Sequence, residues 1–333
     1  MGFETQDVER KVISILRILS DSDGPLGSRI IARRLKDCGV ELGERAVRYH
    51  LKLMDERGLT QLVARRDGRV LTERGIEEVG SALVKDKVGF AISKIELLAF
   101  RTDFDLNKRT GSVPINISIF PKQRFSKALQ VMKAVFTSGF CLSDLVAVAQ
   151  EGDLLGETAI PRGKVGLATV CSVVINGTLL KLGVPIDSKF SGILQIRNSK
   201  PLRFVELINY SGCSLDASEV FIKANMTTVL KAIREGDGKI LATYREIPAL
   251  CQPIVEKAVT KLKEAGLGGL LVMRKNSEPV CEVPVEPNRT GMVILNGLNP
   301  VAAAVEAGVE VENHGMSTVI AYKNLVKFEE ILS

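Results

Sequence analysis

The sequence predicts an α+β protein: an N-terminal winged helix-turn-helix followed by an internally duplicated βαββαβ-like domain. Three observations carry this. Residues 27–71 hold two short amphipathic helix patterns and then a hairpin signal, in the order of a winged helix. Basic charge is concentrated in that stretch. In the C-terminal two thirds, proline and glycine recur at matched intervals, which marks a repeat.

The winged module begins with a helix over Glu4–Ser20, whose apolar stripe is Val8, Val12, Ile15, Leu16 and Leu19. Ser28 is placed to cap a second helix carrying Ile30, Ile31 and Leu35, which Cys38-Gly39 stops. The third helix spans Glu44–Arg57, with Gly58 at its end. Val47, Leu51 and Met54 share its inner face, and Arg45, Arg48, Tyr49 and Lys52 share the outer one. A recognition helix needs this division, one side docked on a core and the other free for the major groove. Asp67-Gly68 between Leu59–Ala64 and Val70-Leu71 predicts a hairpin wing tipped by Arg65, Arg66 and Arg69. From Arg29 to Arg69 there are eleven Lys/Arg against six Asp/Glu, a surplus of five in a chain whose whole net charge is +6. Basic charge therefore lies where phosphates would lie, which favours double-stranded DNA as partner over a purely protein-binding winged helix.

With 333 residues, 45% apolar and 25% charged, the chain has room for about two globular domains. It has no apolar run of spanning length and no signal peptide, so no membrane is expected and the cytoplasm is. The six cysteines are scattered singly, without a CxxC pair, and there are two histidines, His50 and His314. That composition argues against a zinc ribbon, a His-rich metal site or a Ser–His–Asp triad. No Walker A or strand-linked GxGxxG occurs. No carboxylate pair or nucleophile–base couple stands out, so no catalytic residue, metal or cofactor is expected.

The domains divide as 1–85, a connector at 86–110, and 111–333. Thr72 is placed to cap the helix that closes the first. The connector could be helix or strand by its periodicity. Pro121 to Gly139 and Pro248 to Gly266 are both 18 residues apart, and Gly166 to Gly183 and Gly291 to Gly308 are both 17. Halves at about 111–198 and 239–323 each then read strand, helix, strand, strand, helix, strand, the order of a ferredoxin-like sandwich. Between them lie a strand-like LRFVELINY and a helical stretch from Asp216 to Arg234.

Two basic loops sit at equivalent points of the halves: Pro161–Gly166 with Arg162 and Lys164, and Pro287–Gly291 with Arg289 and Thr290. Read as preceding helices that start near Leu167 and Met292, each would offer free N–H groups and a cation to an anion. Thr169 joins the first set, and Arg109 with Thr110 forms a third candidate. Cys141 and Ser143, at the start of a strand expected over Phe140–Ala149, are the fallback. Tight turns with solvated cations are the competing explanation.

With these residues in view, the chain resembles the NrpR nitrogen-regulatory repressor family of methanogenic archaea. The resemblance rests on SRIIARRL, GERAVRYHLKLMDERGL and LTERGIEEV in the winged helix. More specific are VPINIS, GKVGLATVCSVVINGTLLKLGVP and NRTGMVILNGLNPVAAAVEAG in the duplicated domain. It implies a repressor of nitrogen-assimilation genes with an effector-sensing, dimerising second domain. It implies 2-oxoglutarate as the effector that weakens DNA binding, an operator of two half-sites, and a homo-oligomer. Longer members carry two sensor domains after one winged helix; the single one here leaves room for a companion chain with further sensor domains. The alternatives are a metabolic enzyme fused to a DNA-binding module and a ligand-independent interaction scaffold.

Overall fold

The computed structural model describes residues 2–22, 24–38, 40–64, 68–81, 89–274 and 277–332. The chain divides into two compact units, Met1–Val88 and Gly89–Ser333.

The first unit is a winged helix. Helices α1 (Gly2–Ser20), α2 (Ser28–Asp37) and α3 (Glu44–Glu56) precede strands β1 (Thr60–Ala64) and β2 (Gly68–Leu71), and α4 (Glu73–Ser81) closes it. The two strands pair antiparallel, and Leu26 adds a bridge to Arg69, so the wing has a third short edge. The expected stripes meet in one core of Val12, Ile15, Leu16, Leu19, Ile31, Leu35, Val47, Leu51 and Met54; Ile30, expected in the α2 stripe, is instead 49% exposed. Their burial is the force that fixes α3 on α1 and α2. Thr72 caps α4 through the Gly75 amide. Ser28 does not cap α2: Gly27 holds the cap position, and the Ser28 hydroxyl bonds Glu44 at the start of α3. Residues 65–67 at the wing tip and Gly39 lie outside the described residues.

The second unit opens with α5 (Phe90–Arg101), so the undecided connector pattern is helical there; residues 82–88 lie outside the described residues. Then follow β3 (Ser112–Pro121), α6 (Lys122–Ser138), β4 (Leu145–Ala149), the hairpin β5 (Leu154–Leu155) and β6 (Thr158–Ala159), β7 (Lys164–Val170), α7 (Val173–Lys181) and β8 (Asp187–Arg197). An insertion supplies β9 (Lys200–Asn209), α8 (Ala217–Lys223) and α9 (Val229–Glu235). The second half is β10 (Gly238–Pro248), α10 (Gln252–Glu264), β11 (Leu270–Met273), β12 (Arg289–Leu295), α11 (Asn299–Glu306) and β13 (Glu312–Ala321), with β14 (Val326–Lys327) at the end.

The strands form two five-stranded antiparallel sheets, ordered β13-β3-β7-β4-β14 and β11-β12-β10-β8-β9. Here the halves depart from expectation. Strand β8 ends the first half yet pairs with β10 of the second, and β13 ends the second half yet pairs with β3 of the first. The second helices travel with them: α11 packs on α6, and α7 packs on α10. Each ferredoxin-like layer is thus completed by the other half's last helix and strand. The two are interlocked, not two self-contained sandwiches.

The crossover helices show why. Helix α7 is buried on every side from Val173 to Leu179, as is α11 from Asn299 to Ala304. A helix apolar all round belongs in an interior, not on a surface. Where the crossovers pass, Gly297 lies so close to the Val170 carbonyl that a Cβ would stand 2.0 Å from its oxygen. Only glycine permits that approach.

Two further expectations are corrected. Leu167 and Met292 do not begin helices; they lie inside β7 and β12, and the helices begin at Val173 and Asn299. Both strands are buried on both faces, so their near-continuous apolar runs hide the period of two. The strand expected over Phe140–Ala149 starts at Leu145, after a turn held by Ser143. The stretch from Asp216 to Arg234 is two helices, broken at Asn225, which adopts a left-handed φ of 54°.

Candidate DNA-binding face and ligand pocket

On α3, Val47, His50, Leu51 and Met54 are buried while Arg45, Arg48, Tyr49 and Lys52 are exposed, Tyr49 to 61%. The outer face therefore presents three cations and an aromatic ring along one helix. Arg48 is within 3.6 Å of Glu44 one turn back, an exposed pair too weak to hold it from phosphate or base. Arg65 and Arg66 lie outside the described residues. Arg69 is not a free wing cation. Its Nε donates to Asp55 at 2.8 Å, and Thr60 donates to the same carboxylate at 2.6 Å. Arg69 thus pins the wing to the end of α3, held by a carboxylate and not free to face DNA as the sequence suggests.

These placements separate two variants. Arg48→Ala should cost about 1–3 kcal/mol of specific DNA affinity and relax preference at one base position. Arg69→Ala should lower the first unit's stability by about 1 kcal/mol and leave the salt slope of DNA binding unchanged, since it removes no phosphate contact. Filter-binding at several salt concentrations, with calorimetry beside it, tests both.

The nine residues expected to hold an effector do not converge. Arg162 is exposed in a turn; Lys164 opens β7 and Thr169 lies five residues on, about 17 Å along an extended strand. Thr169 is buried and accepts from Asn116 at 3.3 Å. Arg289 is bonded to Asp187 at 3.2 Å and lies 3.5 Å from buried Glu246, so its charge is already answered. Thr290 is fully buried, 3.4 Å from Gln252. Arg109 and Thr110 are exposed, Arg109 being 3.9 Å from Glu264. The Cys141 thiol bonds the Phe136 carbonyl, and burial pushes its pKa up to about 12. Ser143 donates to the Gly266 carbonyl at 2.5 Å, a contact within the fold.

A different set does converge. Asn116 of β3, Cys171-Ser172-Val173 at the start of α7, Thr243 and Arg245 of β10, and Asn296 before α11 surround a pocket where the two crossovers meet. Ile95 of α5, Tyr210, Asp216, Ser218 and Met316 complete its walls, and its free volume is about 10 Å³, room for about one water molecule. Arg245 is 1% exposed. Its two terminal nitrogens donate to the Ser172 carbonyl and hydroxyl, each at 2.8 Å, while its Nε and the Thr243 hydroxyl have no partner. Burial pulls the Arg245 pKa down from its usual value. A guanidinium nonetheless stays charged in proteins, and among the described residues this one forms no ion pair. A buried cation without a carboxylate is costly, and it stands beside the N-terminus of α7, where the helix dipole also favours negative charge. The arrangement suits a small anion.

Sequence reasoning missed every member of this pocket. One signal was present: Tyr244-Arg245-Glu246 inserts two charges into β10, where Ile240 to Ile247 is buried throughout. The basic loops lead into strands β7 and β12, and the helix N-terminus nearest Arg245 is at Ser172-Val173.

The fold and site define a winged-helix protein joined to a duplicated α/β domain with a buried arginine between its crossovers that forms no ion pair among the described residues. Residues 88–327 match the family described as NrpR regulatory domains NRD1 and 2, and residues 13–79 match a ribonuclease R winged-helix domain. The global nitrogen regulator NrpRI of Methanosarcina mazei is 40% identical over 96% of this chain and 98% of its own length. The global nitrogen regulator NrpR of Methanocaldococcus jannaschii is 33% identical over 97% of this chain, which spans 56% of that relative. A crystal structure of a nitrogen repressor-like protein from Methanococcus jannaschii shares the fold, with TM-score 0.62 at 24% identity, over 72% of this chain and 99% of that one. The chain belongs to the NrpR family.

Proposed function

We propose that the chain is a DNA-binding transcriptional repressor of nitrogen-assimilation genes, and that 2-oxoglutarate held at Arg245 weakens its hold on DNA. What carries this reading is the buried Arg245, without a carboxylate partner, in a chain whose relatives are named global nitrogen regulators. The resemblance supplies the identity of the effector; the pocket supplies a place of matching charge. The chain acts as a regulator, not a catalyst. Its place of action is the cytoplasm, where the DNA is; among the described residues no helix is long and apolar enough to cross a membrane.

The pocket walls stand close, so a dicarboxylate enters by parting them. One wall is Ile95 of α5, the first helix of the second unit, so parting the walls moves the element nearest in sequence to the winged helix. A single winged helix reads one half-site; two copies, or one copy with a companion chain, then read an operator of two half-sites.

A gel shift tests the reading, using promoter DNA of nitrogen-assimilation genes against random DNA, with and without 2-oxoglutarate. Preference for the promoter, weakened by millimolar 2-oxoglutarate that is recovered unchanged, supports it. Equal binding to both DNAs, or no response to 2-oxoglutarate, sinks it.

A further inference from the structure

We propose that Lys94 is the residue that reads the second carboxylate of the effector, and so selects a dicarboxylate over a monocarboxylate. This rests on the assignment of the Arg245 pocket to an anionic effector.

The argument begins with what one cation can do. Arg245 lines the pocket and can satisfy one carboxylate. A second carboxylate on the same ligand then needs another cation. Asp216 also lines the pocket, and its carboxylate accepts from the Ser218 and Glu219 amides at the start of α8. Asp216 would repel a second negative group unless a cation stood nearby, because like charges close together in a partly dry site are strongly disfavoured.

Lys94 is that cation. It precedes the pocket-lining Ile95 on α5, and its ammonium donates to the Gly315 carbonyl at 3.2 Å, one residue before the pocket-lining Met316. Gly315 lies against the Asp216 carboxylate, so close that a Cβ there would stand 2.5 Å from its oxygen. Lys94 and Asp216 therefore both touch Gly315, and Asp216 lines the pocket. Electrostatics agree with the geometry. Burial pushes the Cys171 thiol of the pocket wall up to about 11, and the charges of Arg245 and Lys94 both act against that rise while Asp216 adds to it.

The contact Lys94 makes can be exchanged. A lysine ammonium has three donors on a flexible stem, and a neutral carbonyl is a weaker acceptor than a carboxylate. The segment it holds is irregular: strand β13 leaves register with β3 between His314 and Thr318, and Met316 takes a φ of 51°. The Glu219 carboxylate and Asn116 hold the same segment through the Gly315 and Met316 amides. Lys94 is thus one of the ties on the bulge, and the one made by a cation.

The test uses the full chain and two ligands: 2-oxoglutarate, and 2-oxopentanoate, in which the distal carboxylate is replaced by a methyl group. Isothermal titration is run on the wild type, Lys94→Met, Lys94→Arg and Arg245→Met. The wild type should prefer 2-oxoglutarate by about tenfold to a hundredfold, the range of one charge-assisted hydrogen bond. Lys94→Met should cut the preference to about threefold or less, with 2-oxopentanoate affinity unchanged, and Lys94→Arg should restore part of it. An undiminished preference in Lys94→Met overturns the proposal. So does an equal loss for both ligands, which would make Lys94 only a tie on the bulge. If the wild type binds neither ligand, or Arg245→Met binds both normally, the effector assignment itself falls, and this inference with it.

Discussion

Arg245→Met should abolish effector binding while making the ligand-free protein more stable. The two effects have opposite signs for one reason. Arg245 is a charge held away from water that forms no ion pair among the described residues, so the fold bears its desolvation. Methionine fills a similar volume without charge, and such replacements of buried charges are neutral or stabilising by about 1–4 kcal/mol. The same change removes the only cation that lines the pocket among the described residues. A ligand carboxylate placed there would lose its charge-assisted hydrogen bonds, and affinity should fall about a hundredfold or more. Thermal denaturation should show a higher midpoint without 2-oxoglutarate and no further rise with it, whereas the wild type gains on ligand addition by mass action. A lower midpoint without ligand would show that Arg245 is a structural keystone bonded to Ser172, not a residue kept for a ligand.

Gly297→Ala should destabilise the second unit by about 3 kcal/mol or more, because the new methyl has nowhere to go. It would stand 2.0 Å from the Val170 oxygen, which is backbone at the point where the crossovers pass, and 2.9 Å from the Asn116 side-chain nitrogen. Gly183→Ala is the control. Gly183 has a φ of 72° but open space around it, so alanine there should cost only about 1 kcal/mol, through the backbone. Calorimetry on the full chain separates the outcomes. If Gly297→Ala behaves like Gly183→Ala, the crossovers do not pass as closely as described. The first unit should be unaffected by either change, because its core is its own.

The winged helix was legible almost residue by residue. Its helices are amphipathic, its core faces are spaced by three and four, and each stripe finds the others in the folded unit. Arg69 was misread because its partner, Asp55, is fourteen positions away and charge alone does not say which cation is paired. The repeat in the second unit was also legible, since proline and glycine mark the same turns in both halves. The exchange was not. Strands β8 and β13 occupy equivalent places in equivalent sheets, so the same alternation is buried whether each pairs with its own half or with the other. The helices α7 and α11 held the one clue, being apolar on every side. The pocket was hidden for a related reason. Ile95, Asn116, Ser172, Arg245, Asn296 and Met316 come together only because the halves interlock, and no local spacing announces that.

The central claim is that effector and DNA oppose each other through one protein, and reciprocal titration tests it most directly. Operator affinity is measured with and without saturating 2-oxoglutarate, and 2-oxoglutarate affinity with and without saturating operator. Linkage requires the two factors to be equal, and a metabolic switch of this kind should show about 5–150-fold, with Arg245→Met reducing the operator factor to about one. Operator affinity that does not change with 2-oxoglutarate, or that changes as much in Arg245→Met as in the wild type, would contradict the account.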